Sequence, residues 1–114
     1  MESNLIKLEQ ISKLQNNWNG YGAEPFSKEL IDKCIDIIKG LKVQPFLSPT
    51  GRSSIQMEYE YDSNGYLEFE VFIDKITVLC INKHGHESTG KININKDVID
   101  ILNLILEKFL GEKS

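Results

Sequence analysis

A change in the spacing of apolar residues constrains the fold of this chain more strongly than any other feature. From Ile55 to Ile73, apolar and polar side chains alternate, which is typical of strands that bury one face. Before and after this stretch, apolar residues recur every three or four positions, which indicates amphipathic helices. The sequence therefore predicts a sheet that is preceded and followed by helical segments.

Three segments have helical spacing. The first covers residues 4–15, where the apolar positions form one stripe. The second follows Pro25 and has a broad apolar face, and the third closes the sequence. Capping side chains and glycines give the expected ends of these helices. In chain order, the expected boundary residues are Ser3 or Asn4, Ser27, Gly40, Asn95 and Gly111.

The alternating part predicts a β-meander. Strands are expected from Ile55 to Asp62 and from Tyr66 to Ile73, and the pair Asn64–Gly65 predicts a hairpin because both residues tolerate positive φ. A third strand is expected over residues 76–81, where a nearly continuous apolar run predicts a central position with both faces covered. A short fourth strand is expected at residues 91–94.

Two connecting segments complete the assignment. Residues 42–52 include Pro45 and Pro49 and predict a loop or an extended arm, because proline disfavours helix at its own position and at the one before. Residues 82–90 are predicted as a turn. We expect one α+β domain over residues 1–114, with two N-terminal helices, an antiparallel meander of three or four strands and a C-terminal helix, the helices packed on one sheet face.

The charge balance limits the classes of partner. The chain has 17 acidic and 13 basic residues, and its net charge is −4. This argues against direct binding of a nucleic-acid backbone, for which a basic face is expected, and it is compatible with a basic protein partner. No cofactor is expected. A homodimer is a further expectation, with Tyr66 and Phe72 or the wide apolar face of the last helix as its interface.

The sequence also predicts a location. It begins without a basic n-region or an apolar h-region, and no apolar run approaches the ~18 residues of a membrane span, so neither a secretion signal nor a membrane segment is expected. Cys34 and Cys80 lie far apart among apolar residues. We interpret them as reduced, buried thiols of a cytoplasmic protein, with a single disulfide as the alternative.

The stretch NWNGYGAEP, residues 17–25, contains the single tryptophan of the chain. We predict that it is a structural loop, because the tryptophan continues the stripe of the first helix and glycine and proline favour a turn. The alternative is a ligand loop in which the tryptophan or Tyr21 stacks on a ligand, although the spacing is not that of a phosphate-binding loop. The residues assigned to the structural loop are Trp18, Gly20, Gly22 and Pro25.

The same loop carries a resemblance. NWNGYGAEPFSKELIDKCIDII, followed by PTGRSSIQMEYEY and LEFEVFID, resembles a group of small, uncharacterised bacterial and phage proteins. That group has Trp-(Asp/Asn)-Gly-x-Gly-Ala, a proline-led helix, and Pro-x-Gly before a strand with a Glu-aromatic pair. The likeness covers roughly residues 8–80 and departs at Asp74–Lys75, where Asp-Gly is more usual. It implies a shared fold and a bacterial or phage setting, and no activity. The residues that carry it are Trp18, Gly20, Gly22, Ala23, Pro25, Gly51, Glu58 and Tyr59.

Acidic residues alternate with apolar ones along both strands of the predicted hairpin. Residues two positions apart share a face, so the carboxylates are expected to converge on one side of the sheet. Cations such as Arg52, Lys75 or Lys91 are expected to compensate them; otherwise the face is an acidic surface for a basic partner, with aromatic anchors. The alternative is a merely solvated face. The predicted partner-binding residues are Glu58, Glu60, Tyr61, Tyr66, Glu68 and Glu70, and Asp62 belongs to the same acidic group.

The chain has one histidine cluster, HGHE at residues 84–87. His84, His86 and Glu87 are ligand types that zinc or copper accepts, although a catalytic zinc takes about three protein ligands plus a water. The alternative is an exposed polar turn. Cys80 is a candidate nucleophile beside these histidines, but its apolar neighbours favour a buried strand position.

These features together predict a non-enzymatic protein-interaction module. The expected type is an inhibitor of a basic, nucleic-acid-binding protein, such as an immunity protein, an antitoxin or a phage-encoded inhibitor of a defence nuclease, because acidic surfaces speed association with basic targets. The alternative is a small metal-binding domain or enzyme that uses His84, His86 and Glu87. A ligand-binding domain that uses the loop around Trp18 is a third hypothesis.

Overall fold

The computed structural model describes residues 1–61 and 65–111, and within these ranges it has three α-helices and one five-stranded sheet. The elements are α1 (Glu2–Ser12), α2 (Lys28–Gly40), β1 (Phe46–Pro49), β2 (Ile55–Tyr61), β3 (Gly65–Val71), β4 (Lys75–Ile81), β5 (Glu87–Asn93) and α3 (Val98–Gly111). The strands are antiparallel, in the order β1-β2-β3-β4-β5. The predicted α+β class and the order of helices around an antiparallel meander are confirmed. The predicted hairpin residue Asn64 lies outside the described residues.

The two edge strands differ from the prediction of three or four strands. β1 lies in the segment that was expected to be a loop or extended arm, and its Pro49 pairs with Ile55. Proline is tolerated there because an edge strand is bonded on one side only. β5 begins at Glu87, so residues 87–90 belong to the sheet and not to the turn. Both strands give a weak sequence signal because much of their surface remains in water.

The prediction that β4 is covered on both faces is wrong. Ile76 is the only buried residue of this strand, and the others are half-buried. The apolar run has a different cause. Ile76, Val78 and Cys80 face the helices, whereas Leu79 and Ile81 lie on the opposite face, where they pair with residues of β3. Apolar side chains therefore occupy both faces of β4 although helices cover only one.

One hydrophobic core lies between the three helices and the inner face of the sheet. Alternate strand residues enter it, because successive side chains of a strand point to opposite faces. Fully burying one large apolar side chain contributes about 1.5–3 kcal/mol, so this layer supplies most of the stability of the domain. Its side chains without exposed surface include Leu8 on α1, Ile38 on α2, Met57 and Phe69 in the sheet, and Leu102 on α3.

Two side chains organise the starts of α2 and α3. Ser27 caps α2 as predicted, since its Oγ accepts a hydrogen bond from the Leu30 N–H at 3.2 Å. Asn95 organises the turn before α3: its Oδ1 accepts from the Asp97 N–H at 2.9 Å, and its carbonyl accepts from the Val98 N–H at 3.1 Å. Both residues satisfy N–H groups that the first turn of a helix leaves without partners.

The predicted cap of α1 is wrong. The helix already begins at Glu2, and neither Ser3 nor Asn4 caps it. Asn4 is buried, and its Nδ2 donates to Gln44 Oε1 and to the Pro45 carbonyl, each at 3.0 Å. The amide therefore ties α1 to the segment that leads into β1.

A second buried amide joins α3 to the end of α2. Asn103 Oδ1 accepts a hydrogen bond from the Lys42 N–H, and Asn103 Nδ2 donates to the Gly40 carbonyl, each at 2.9 Å. Gly40 ends α2, as predicted. A Cβ atom at Gly40 would lie 2.5 Å from Cγ2 of Ile99, so the lack of a side chain permits the close approach of α3.

The cysteines form no disulfide, so that alternative is wrong. Cys34 is buried on α2, where burial raises the pKa of its thiol to about 12. Cys80 is half-buried, which is less than the sequence predicted. Across the described ranges, none of the helices combines the length and the apolar character needed to cross a bilayer.

We expect Gly40→Ala to lower the free energy of unfolding by about 1–3 kcal/mol, because the new methyl group overlaps the branched side chain of Ile99. Alanine normally favours a helix by about 1 kcal/mol over glycine, so a loss is specific to this close approach. Urea denaturation measures the change. The control is Gly111→Ala, also helical, where a Cβ meets no atom within 4 Å and no loss is expected. A Gly40→Ala protein as stable as the control would contradict the packing argument.

Candidate functional site

The outer face of the sheet, opposite the helices, holds the acidic residues of β2 and β3. Glu58 lies directly opposite Glu68, and Glu60 lies opposite Tyr66. Glu60 is exposed, and the other three are half-buried. These four residues, Glu58, Glu60, Tyr66 and Glu68, form what we call the acidic band. The band exists because the register places even-numbered residues of both strands on one side, which is the convergence that the alternation predicts.

Glu70 shares this face but has a different environment. Its side chain is almost fully buried, and its Oε2 accepts hydrogen bonds from Ser54 Oγ at 2.5 Å and Arg52 Nε at 3.0 Å. Ser54 Oγ lies 2.6 Å from Thr50 Oγ1, which extends the network into the loop before β2. Burial favours the neutral acid, but the bonds from Arg52 and Ser54 outweigh it, so the pKa of Glu70 is lowered. Glu70 is therefore a compensated structural charge and not a free partner-binding group.

The three cations that were expected to compensate the acidic face lie in different environments. Arg52 pairs with Glu70, as proposed for one of the three candidates. Lys75 instead places its Nζ 5.1 Å from the centre of the Phe72 ring. Lys91 lies on β5 opposite Thr77, whose other neighbour across the sheet is Glu70. No ion pair of Glu58, Glu60 or Glu68 is found among the described residues.

The hydroxyl of Tyr66 is part of the acidic band. Tyr66 Oη donates to Glu68 Oε1 at 2.6 Å. Burial, this hydrogen bond and the nearby carboxylates raise the pKa of the Tyr66 hydroxyl, so it stays a neutral donor at physiological pH. The bond fixes the ring beside the carboxylate and leaves an ordered aromatic side chain in the middle of the face.

Apolar side chains flank the acidic band on both sides. Leu79 is opposite Glu68, and Ile81 is opposite Tyr66, both half-buried on β4. On the other side, Phe46 is opposite Glu58 and is 61% exposed. The outer face therefore combines aromatic and aliphatic side chains with carboxylates.

One predicted member of this surface, Tyr61, is absent from it. Tyr61 lies on the inner side of β2, the side of Met57 and Tyr59, and its ring centre is 6.3 Å from that of Phe109 on α3. Odd-numbered residues of β2 face the helices. Tyr61 was assigned to the acidic face because it lies near the hairpin, and that assignment placed it on the wrong side of the sheet. Asp62 lies outside the described residues.

The stretch 17–25 forms a loop closed by its own polar groups. Asn17 Oδ1 accepts a hydrogen bond from the Gly22 N–H at 2.7 Å, and the Asn17 N–H donates to the Ala23 carbonyl at 2.7 Å. Asn17, Gly20 and Gly22 have positive φ values of 63°, 78° and 82°. Glycine adopts this left-handed backbone without strain, and asparagine tolerates it better than most residues.

Trp18 is anchored within the same loop. Its Nε1 donates to the Glu24 carbonyl at 3.1 Å, and its ring centre lies 5.8 Å from that of Phe26. Pro25 separates these two partners in the chain and is exposed. Tyr21 is 92% exposed and is the aromatic side chain of the loop that a ligand would meet first.

Asn19, an asparagine of a type that commonly bonds to nearby backbone, joins the two halves of the motif that carries the resemblance. Its Oδ1 accepts from the Tyr21 N–H at 2.8 Å and from the Ala23 N–H at 3.2 Å. Its Nδ2 lies where it would be 2.9 Å from a Cβ atom at Gly51. Residues 17–25 therefore contact the loop before β2. Sequence gave no signal for this contact, because it depends on how the two loops fold together.

The HGHE turn is exposed. The ring centres of His84 and His86 are 6.4 Å apart, and both backbone N–H groups donate to Asn82 Oδ1. Glu87 follows as the first residue of β5. Within residues 1–61 and 65–111, no three His, Cys, Asp or Glu side chains come together as a metal-ligand group. The geometry gives this turn the hydrogen bonding of a β-hairpin connection.

In comparisons with protein-family models, with curated proteins and with solved structures, nothing matches this chain.

Replacing Glu70 with Gln is expected to lower the free energy of unfolding at neutral pH by about 1–3 kcal/mol, because hydrogen bonds to a charged acceptor are replaced by weaker ones. The lowered pKa of Glu70 stabilises the fold above its ordinary value of 4.5, and this contribution is lost as the pH falls below it. The difference between wild type and variant should therefore shrink in acid. Urea denaturation of both proteins, from neutral pH to below 4.5, measures the difference in the free energy of unfolding. Glu60→Gln, on the same face but exposed, is the control; a pH-independent difference for Glu70→Gln would contradict the charge argument.

Replacing Asn19 with Ala is expected to destabilise the protein by about 1–2 kcal/mol, because the N–H groups of Tyr21 and Ala23 lose their acceptor. Thermal unfolding followed by circular dichroism measures the loss. Asn16→Ala, at an exposed position just before the loop, is the matched control and should have little effect. An Asn19→Ala protein with unchanged stability would show that this amide does not hold the loop.

Proposed function

We propose that the protein is a non-enzymatic interaction module that binds a basic protein partner through the acidic band. The observation that carries this proposal is the register of β2 and β3, which places Glu58 opposite Glu68 on the sheet face away from the helices. Like charges on directly opposed positions destabilise a sheet by a few tenths of a kcal/mol. A partner that supplies lysine or arginine would relieve this repulsion, and the relief would add to the free energy of binding.

The composition of the surroundings supports the same proposal. Leu79, Ile81 and Phe46 flank the carboxylates, and Tyr66 stands among them. Aromatic and aliphatic groups supply the desolvated anchors of an interface, while the carboxylates provide long-range attraction and fix orientation.

The partner class follows from the charge. Proteins that bind nucleic acids carry basic surfaces, and an acidic surface both speeds association with them and competes with the nucleic acid. We therefore propose an inhibitor of the immunity, antitoxin or phage anti-defence type, acting in the bacterial cytoplasm. The thiols of Cys34 and Cys80, which are not joined in a disulfide, support a reducing compartment. The bacterial or phage setting rests on the resemblance of the loop around Trp18.

The test is capture of a bacterial partner by the tagged protein, followed by quantitative binding with the purified pair. We expect Glu58→Lys/Glu60→Lys to weaken binding about tenfold or more at low salt, because two attractive charges become repulsive. This variant should remain folded, since a lysine at position 58 faces Glu68 and replaces repulsion by attraction. Isothermal titration calorimetry at two salt concentrations measures the affinity.

The matched control changes the net charge equally but away from the band. Glu24→Lys/Asp36→Lys alters two exposed residues outside the sheet, one in the loop before α2 and one on α2. This control should bind nearly as tightly as the wild type. If both variants weakened binding equally, the effect would come from the net charge of the protein and not from the acidic band. If Glu58→Lys/Glu60→Lys bound as tightly as the wild type, the acidic band would not be the binding surface.

A further inference from the structure

The two edges of the sheet are protected to different degrees. β1 has four residues and ends in Pro49. Asn4 of α1 bonds to Pro45, just before β1, and Lys7 of α1 places its Nζ 4.0 Å from the centre of the Phe46 ring. β5 has seven residues, contains no proline, and is almost wholly exposed. Exposed edges of this length normally pair with another strand or carry features that prevent pairing.

The free side of β5 offers a regular row of backbone groups. The Asn82 N–H donates to the His86 carbonyl, which closes the hairpin between β4 and β5. In an antiparallel pair, hydrogen-bonded and non-bonded positions alternate, so Ser88, Gly90 and Ile92 bond to β4. Glu87, Thr89, Lys91 and Asn93 therefore direct their N–H and C=O groups to the open edge.

We propose that a second copy of this chain pairs with β5, strand against antiparallel strand, around a two-fold axis at Thr89. In that register Glu87 stands opposite Lys91 of the partner subunit, and Lys91 stands opposite Glu87 of the partner subunit. Glu87, Thr89 and Lys91 all direct their backbone groups outward, so each of these facing pairs can exchange hydrogen bonds across the axis. The acid and the base lie at equal distances on either side of Thr89, which is the self-complementarity that a two-fold interface requires.

A groove on the inner side of β5 also supports pairing with a second copy of the chain. A groove of about 350 Å³ lies between β4, β5 and α3, and Val78, Ile92, Ile105 and Phe109 contribute to its largely apolar lining. The groove stays open at β5 because Ser88 and Gly90 are small, and a Cβ at Gly90 would meet nothing within 4 Å. A strand added to β5 would extend the sheet beyond this groove and bring the two grooves together at the axis.

The net charge of −4 on each copy does not oppose this pairing strongly. Strands lie about 4.8 Å apart, so the carboxylates on β3 of the two copies would be separated by roughly 24 Å. That distance is several times the Debye length of about 8 Å at physiological ionic strength. The local pairs of Glu87 with Lys91 therefore dominate the electrostatics of the interface.

Sedimentation equilibrium of the full chain, from low micromolar to near-millimolar concentration, tests the proposal. We expect a reversible dimer that Thr89→Pro weakens about tenfold or more, because proline removes an outward N–H at the centre of the ladder. The same N–H is not needed for pairing with β4, so the fold should be retained, which circular dichroism checks. Thr89→Ala keeps the N–H and should dimerise like the wild type.

Charge reversal tests the register and does not depend on proline. Glu87→Lys and Lys91→Glu should each weaken the dimer about tenfold when studied alone, because each creates like-charge pairs across the axis. The two single variants mixed in equal amounts should form a heterodimer, since every cross pair is then attractive. The double variant Glu87→Lys/Lys91→Glu should recover the homodimer.

A wild-type chain that stays monomeric over the whole concentration range would overturn the proposal. So would a dimer that is unaffected by Thr89→Pro and by both single reversals, because its interface would then lie elsewhere. Failure of the two single variants to associate on mixing would refute the register centred on Thr89. None of these variants alters the acidic band, so the outcome is separate from the test of the basic partner.

Discussion

All three helices pack on one face of a five-stranded antiparallel sheet. Because successive residues of a strand point to opposite faces, each strand side chain lies either in the core under the helices or on the outer face. Once Met57 and Phe69 are committed to the core, Glu58 and Glu68 must lie on the other side. A slip of one residue in the pairing would bury the carboxylates and expose the core, so the register is fixed by hydrophobic burial. The outer face is thus determined by the inner one.

Burial and charge act differently on two carboxylates of the same strand. Glu70 is withdrawn from water and held by Arg52 and Ser54, so its charge contributes to the position of the loop before β2. Glu68 is only half-buried, and its described partner is the neutral hydroxyl of Tyr66. The charge of Glu70 is therefore compensated within the fold by a direct ion pair, whereas Glu68 forms no ion pair among the described residues and interacts with Arg52 only at longer range.

The sequence predicted the features that depend on local periodicity. The α+β class, the cap at Ser27, the end of α2 at Gly40 and the hairpin strands all follow from patterns within about 15 residues. It did not predict features that depend on the neighbour across the sheet. β1 and β5 have little apolar surface to signal them, and the side of Tyr61 and the buried partner of Glu70 are set by register and by loop packing. Register and loop packing are three-dimensional properties, and a single sequence carries no record of which residues contact each other.

The outer face and the open edge are linked through the sheet. If two copies join along β5, their sheets become continuous, and the acidic bands lie on one extended surface related by a two-fold axis. A partner that is itself a dimer, or that presents repeated basic segments, would then meet both bands at once, and the second contact would form at high effective concentration. Modest affinity at each band would be enough for firm binding. In such a dimer, the open edge of β5 and the carboxylates of Glu58 and Glu68, which form no ion pair among the described residues, would belong to one arrangement in which assembly of the sheet strengthens binding at its acidic face.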